Sequence, residues 1–306
     1  MGRYILRRLA GLPPVLLAVS FIVFGAVRLL PGDPARIMAG PEATAEDVAG
    51  VRSRLGFDQP FAAQYGRYLL GVARGDFGTS VRSKAPVWHE VVVRLPYTAS
   101  LALAAYTVAL LLGLAAGTVA GIRRNGWPDR LVMVGAVLGA ATANFWLALM
   151  AMSLFAVQLR WLPLLGAAGW RNYVMPTLTL AVGPTALVAR MTRSSLIEAL
   201  AQDHVRTARA KGLGELGVKL RHGLRNALLP VVTTIGLNFG GLLGGAVVTE
   251  SVFNWPGLGR LLVDSVRFRD YPVIQAVTLL SVCSVVLVNL AADCMLAKLD
   301  PRIRLD

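Results

Sequence analysis

Cysteine is nearly absent from this chain: Cys283 and Cys294 are the only two in 306 residues, and both lie in one apolar run. Eleven residues apart on a helix rising about 1.5 Å per residue, they cannot bridge, which excludes a disulfide scaffold. Histidine is as scarce. His89, His204 and His222 fall in separate loops, and no Cys/His spacing marks a metal site. Acidic residues number 17 against 31 Lys and Arg, and charged residues of both signs make up only 16%. No series of carboxylates and histidines interrupts the apolar runs, which argues against a proton-coupled carrier. The motifs G-x-x-x-x-G-K-[ST], H-E-x-x-H and G-x-S-x-G are also missing, so the chain has no P-loop, zinc-protease helix or nucleophile elbow. Any uphill work it takes part in draws its energy from another protein.

What the chain has in quantity is hydrophobe, 55% of all residues. That composition fits a multi-pass membrane protein better than a water-soluble one. A net charge of +14 raises nucleic acid as a partner. The cations, however, sit largely in loops flanking apolar spans, where they act as topology signals, so no nucleic acid is expected. Six spans are expected: Ala10–Val27, Thr98–Gly121, Leu131–Val157, Tyr173–Ala189 (short and interrupted by Pro176, Gly183 and Pro184), Leu228–Val248 and Val273–Ala297. Each has roughly the ~20 residues a bilayer requires. Arg3, Arg7 and Arg8 hold the start of the first span inside, and it is too long for a secretory h-region. With the Arg123–Arg130 loop, the Arg190–Arg225 stretch and the basic tail on one side, both termini are cytoplasmic.

Four regions follow: an N-terminal span (1–30), an external helical region (31–96), a membrane core (97–300) with a cytoplasmic loop at 190–230, and a tail (301–306). In the external region, Thr44 with Asp47 resembles a capping box for a helix through Arg54. A second helix starts after Asp58-Gln-Pro, GDFGTS at 75–80 is a turn, and Pro86 opens a third segment. Trp161, Trp170 and Tyr173 suit an aromatic interface belt.

The loop at 190–230 is the most unusual stretch. It carries Arg190, Arg193, Arg206, Arg209, Lys211, Lys219, Arg221 and Arg225 against Glu198, Asp203 and Glu215. Leu196 to Lys211 reads as a helix with its cations near the C-terminus. Gly212 suits the left-handed position that follows, and a return helix runs from about Glu215 towards Pro230. This helix–glycine–helix knuckle can fit a groove on a soluble partner. Gly212-Leu-Gly-Glu-Leu-Gly217 matches G-x-G-x-x-G by letter, but a helix precedes it where a dinucleotide site needs a strand, so it is coincidental.

Small residues four apart, at Gly113, Gly117 and Gly121 and again at Gly240, Gly241, Gly244 and Gly245, allow close helix approach. Polar residues inside the spans are few. Thr142, Asn144, Thr234 and Asn238 are candidates to line a polar route for solute, with interhelical hydrogen bonding an equally good use.

LPGDPA (30–35), GDFGTS (75–80), RTARAKGL (206–213), HGLRNALLP (222–230), ESVFNWPGLGRLL (250–262), RDYP (269–272) and LDPRIR (299–304) together resemble the permease subunits of bacterial ATP-binding-cassette importers. The match is to the dipeptide/oligopeptide/nickel group, nearest its glutathione- and dipeptide-type members. The resemblance implies an all-α, six-span permease in the bacterial inner membrane, itself not an enzyme. It implies that the knuckle is the coupling helix, with Arg206, Thr207 and Ala208 in the positions of the family's EAA loop and Gly212 as its glycine, Lys211 lying beside it. Here the proline that closes the pattern is delayed to Pro230. The implied partners are a second homologous permease, two ATPase subunits that carry ATP and Mg, and an external solute-binding protein. No cofactor is expected on this chain. Short peptides or glutathione are the expected cargo, with nickel as the alternative; an ion-coupled secondary transporter is the competing reading of another class.

Overall fold

In a bilayer every backbone N–H and C=O must be satisfied within the protein, so long apolar runs become helices. The computed structural model describes residues 2–29, 34–39, 43–55 and 58–299, and its regular elements are all helical. Among the described residues the β features amount to one isolated bridge, Thr79 to Pro86. The helices are α1 (Gly2–Leu29), α2 (Pro34–Ala39), α3 (Ala45–Leu55), α4 (Phe61–Ala73), α5 (Val87–Ile122), α6 (Trp127–Ala141), α7 (Asn144–Ala151, continued by a π-helical stretch Met152–Gln158), α8 (Trp170–Leu200), α9 (Asp203–Ala210), α10 (Glu215–Gly217, continued by π-helical Val218–Leu224), α11 (Arg225–Val252), α12 (Leu258–Arg267) and α13 (Tyr271–Leu299). Most of LPGDPA and LDPRIR, and the tail 301–306, lie outside the described residues.

Among the described residues three helices are long and apolar enough to cross a membrane: α5, α8 and Tyr271–Ala292 of α13. The α6–α7 pair passes the same test only as a broken unit, bent by 102°. The single straight span expected at Leu131–Val157 is therefore corrected to two pieces. Thr142 and Ala143 adopt extended backbone, and the Thr142 hydroxyl donates to the Leu138 carbonyl at 2.6 Å. Such a local bond offers the chain an alternative to the helical ladder. The opposite correction applies to the fourth span. Despite Pro176, Gly183 and Pro184, α8 runs unbroken for 31 residues. In the same way α5 runs through Pro96 for 36 residues, so the expected boundary at 96/97 falls inside a helix.

Glycines set how the core helices approach. A Cβ on Gly113 would meet Val188 and Thr185, one on Gly117 would meet Ala189 and Thr192, and one on Gly121 would meet Leu196. The residue numbers rise together, so α5 and α8 lie parallel, with their backbones as close as small residues permit. Two parallel neighbours require the chain between them to travel the full length back, and α6, the elbow and α7 make that return. α11 runs the other way. Its start packs Ala227 on Leu196 and Ala199, and its end reaches Thr98 of α5 through Glu250. The bundle therefore has a Glu250 end and an Arg193 end. The packing around Gly240, Gly241, Gly244 and Gly245 lies outside what is described.

Candidate functional site

At the Arg193 end the knuckle is built from two short helices around Gly212. The single helix expected over Leu196–Lys211 is corrected: α8 stops at Leu200, Gln202 is extended (φ −77°, ψ 156°), and α9 starts afresh at Asp203. Lys211 closes α9, and Gly212 follows with φ of 79°, a left-handed conformation open to glycine without steric penalty. Its N–H donates to the Arg209 carbonyl at 2.9 Å, and the Leu213 N–H donates to Ala208 at 3.4 Å, closing the α9 C-terminus. The return helix begins at Glu215 as expected and passes through the π-helical stretch into α11 at Arg225, with Pro230 inside α11.

The knuckle has a dry side and a wet side. Val205 and Ala208 of α9 are buried against Val218, and Gly223 fits closely beneath Leu200 and Leu196. Asn226 bridges the two halves: its amide nitrogen is 2.8 Å from His204 Nε2 and donates to the His222 carbonyl at 3.1 Å. Arg206, Thr207, Lys211 and Gly212 are exposed, while Ala208 is buried. The five expected docking positions therefore divide, four outward and one serving as an internal anchor. Beside the cations, Leu213 is 48% and Leu216 is 66% exposed. An apolar tip ringed by cations is what a protein-docking element needs.

Glu215 straps the knuckle shut. Arg209 Nε donates to one carboxylate oxygen at 2.8 Å, and Lys219 Nζ lies 3.6 Å from the other. The Arg209 hydrogen bond, then the charges of Arg209 and Lys219, hold the Glu215 carboxyl below its ordinary value of 4.5. A depressed folded-state pKa means that the strap is fully present above about pH 4.5 and is lost only as pH falls through the lower folded value. Hydrogen exchange at Gly212–Gly214, corrected for intrinsic rates, is therefore expected to stay flat from about pH 7.5 to about pH 5. A rise in that window would show the strap to be absent.

The four polar positions separate into two pairs. Thr142 and Asn144 sit at the α6–α7 elbow, and Thr234 and Asn238 lie one turn apart on α11. Thr234 donates to the Pro230 carbonyl at 3.0 Å and Asn238 to the Thr234 carbonyl at 2.8 Å, so both bond within their own helix.

Other polar residues, not singled out as site candidates, do more to hold the frame. Arg193 on α8 makes a two-pronged pair with buried Asp129 on α6, at 2.5 and 2.7 Å, and Asp129 also accepts the Asn125 N–H. At the other end Glu250 is fully buried. It accepts the Thr98 hydroxyl at 2.6 Å and the Arg260 N–H at 3.1 Å, while Thr98 accepts the Leu258 N–H at 2.8 Å. Gly257 and Gly259 leave room for this carboxylate against the start of α12. Asp270 joins two distant motifs: it accepts the Ser80 hydroxyl at 2.5 Å, Val81 N–H at 3.1 Å and Arg82 N–H at 3.2 Å. GDFGTS and RDYP thus form one clasp. The available sequence signal was a lone carboxylate bordering an apolar run, which is rarely left without a partner.

Known proteins fit this frame. The model described as binding-protein-dependent transport system inner membrane component matches residues 109–305, and its N-terminal companion matches residues 1–102. The chain is 52% identical over 304 residues, 99% of both proteins, to the glutathione transport system permease protein GsiC of Salmonella paratyphi A. It is 50% identical, over the same shares, to GsiC of Escherichia coli. Among solved structures, the MetNI methionine ABC transporter in its inward-facing conformations superposes with a TM-score of 0.59 at 19% identity, over 69% of this chain and 96% of that one. An amino acid ABC transporter with histidines gives 0.52 at 17% identity, over 69% and 93%. With matches along nearly its whole length, the chain belongs to the family of binding-protein-dependent transport system inner membrane components, the permease subunits of ABC importers.

Proposed function

We propose that this permease forms half of the pathway of an ATP-driven importer for glutathione or short peptides. In this reading a second permease forms the other half, and an external binding protein delivers cargo at the Glu250 end. Two ATPases engage the knuckles, and six spans carry the chain with both termini in the cytoplasm. One observation carries the coupling role: a knuckle anchored by Val205, Ala208 and Val218 that presents Arg206, Thr207, Lys211 and Leu216 outward. An element fixed on one side and exposed on the other can pass a push from a soluble partner to α8 and α11, which it joins directly. Glutathione is favoured because the GsiC relatives are glutathione transport permeases.

Uptake by membrane vesicles bearing the full complex tests this. Labelled glutathione should accumulate with ATP after the ion gradient is collapsed, and should not accumulate without ATP. Uptake that follows the gradient would overturn the reading. Stronger uptake of nickel or a dipeptide would move the substrate and leave the mechanism in place.

Two substitutions test the knuckle. Gly212→Asp strains the left-handed turn by about 1 kcal/mol and adds negative charge among cations. It is expected to lower cargo-stimulated ATPase activity at least tenfold while the permease still inserts. Reversing Arg206 and Lys211 to Glu together should reduce co-purification of the ATPases. Wild-type stimulation in the first variant and full ATPase retention in the second would refute the docking role.

A further inference from the structure

We infer that α4, within the expected external region, lies in the outer interface of the bilayer and presents one face to lipid acyl chains; this rests on the reading that α1 crosses the membrane. Phe61, Tyr65 and Tyr68 of α4 pack edge-on or tilted against Phe21 and Phe24 of α1, with ring centroids 5.2–5.8 Å apart. The Tyr65 hydroxyl reaches deeper, donating to the Leu17 carbonyl at 3.1 Å and lying 2.8 Å from the Ser20 hydroxyl. These contacts fix the depth. Phe21 and Phe24 precede Val27, the last residue of the apolar run, by six and three positions, so they lie about 5–9 Å below its end. That matches the ~5–10 Å at which interfacial helices sit.

The composition of α4 agrees with its place. Opposite its α1-facing side run Ala63, Gly66 and Leu70, with Leu70 59% exposed. Arg67, paired with the Gln59 side chain, and Gln64 form the polar flank. A 13-residue helix with one cation, apolar on both faces across from and beside α1, is poorly suited to water. On α1 itself Phe21 and Ile22 are exposed as well, Phe21 at the level where Phe61 and Tyr65 pack. Lipid is the occupant that covers exposed apolar surface on both helices at this depth. The Gln64–Arg67 flank then faces the headgroups, where a cation is favourable.

Spin labelling of the assembled complex in phosphatidylethanolamine–phosphatidylglycerol nanodiscs tests this. Single cysteines are placed at Ala63, Leu70 or Glu46 in a chain with Cys283→Ser and Cys294→Ser. Labels at Ala63 and Leu70 should collide with oxygen several-fold more often than with a water-soluble nickel chelate, and the label at Glu46 on α3 should show the reverse. Labels at Ala63 and Leu70 that meet the chelate as freely as the one at Glu46 would overturn the inference. So would shielding from both reagents, which would mean that a protein partner covers the face. The depth profile requires no transport, so its failure is distinguishable from failure of ATP-driven uptake.

Discussion

Replacing Glu250 by alanine is expected to lower the unfolding temperature of the purified complex by on the order of 10 °C, one of the two largest effects expected from single changes in this chain. The carboxylate is fully buried and accepts from Thr98 and Arg260. Alanine leaves these donors buried without an acceptor, at about 1–3 kcal/mol for each unsatisfied group. It also opens a cavity between α11 and the start of α12, which the glycines at 257 and 259 cannot fill. A combined loss of about 3–5 kcal/mol is in line with removing one member of a buried polar network. The conservative change Glu250→Gln keeps one acceptor oxygen but aims an NH2 group at another donor, so it should fall between alanine and wild type. Thermal unfolding followed by tryptophan fluorescence is well placed to read this, because Trp255 is buried and donates to the Tyr97 carbonyl beside Thr98. An alanine variant within about 2 °C of wild type would mean that the carboxylate does not organise this end.

How much of this was readable in advance depended on whether the determining contacts were local. The capping box at Thr44 and Asp47 forms as its spacing implies, with Asp47 N–H donating to the Thr44 hydroxyl and Thr44 donating back to the carboxylate. The left-handed glycine at 212 and the return helix from Glu215 are local features of the same kind. The stripe at Gly113, Gly117 and Gly121 correctly signalled close approach, though not that its partner would be a parallel helix. Proline misled in α8 because neighbouring helices stabilise the run in a way that propensity within one segment does not register. The α6–α7 elbow was missed for the opposite reason. Its residues, Ala-Thr-Ala-Asn, carry no glycine or proline; the Thr142 bond to Leu138 permits a break, and the 102° bend sets α7 against α8 and α11, partners far away in sequence. Clasps such as Ser80 with Asp270 span 190 residues. No window of sequence contains both partners, so each motif was visible and its use was not. The substrate is further still from the sequence, since the bonds of Thr142, Thr234 and Asn238 run within their own helices and name no cargo.

Gly117→Leu is expected to abolish the assembled permease, and the reason returns to the parallel pair at the centre of the fold. A Cβ at Gly117 would stand 2.5 Å from the Ala189 carbonyl oxygen and 2.6 Å from the Thr192 Cβ, whereas real Cβ contacts rarely fall below 3.0 Å. Neither obstacle is the free end of a flexible side chain, so relief requires α5 and α8 to move apart along their length. That separation forfeits dispersion contacts at Gly113 and Gly121 as well, where Val188 and Leu196 pack as tightly. Overpacking a rigid core commonly costs about 1–3 kcal/mol. With backbone as the obstacle the expected penalty is about 3 kcal/mol or more, a hundredfold or greater shift against the folded state. The effect also reaches the knuckle, because α8 leads into α9 and α5 ends at Ile122, which packs against the Leu196 cluster. Gly135→Leu is the matched control: it lies on α6 with nothing within 4 Å of an added Cβ. The measurement is the yield of co-purified complex with total membrane-inserted chain held equal. Loss at Gly117 beside normal yield at Gly135 is the expected pair, and equal yields would show that α5 and α8 are free to separate.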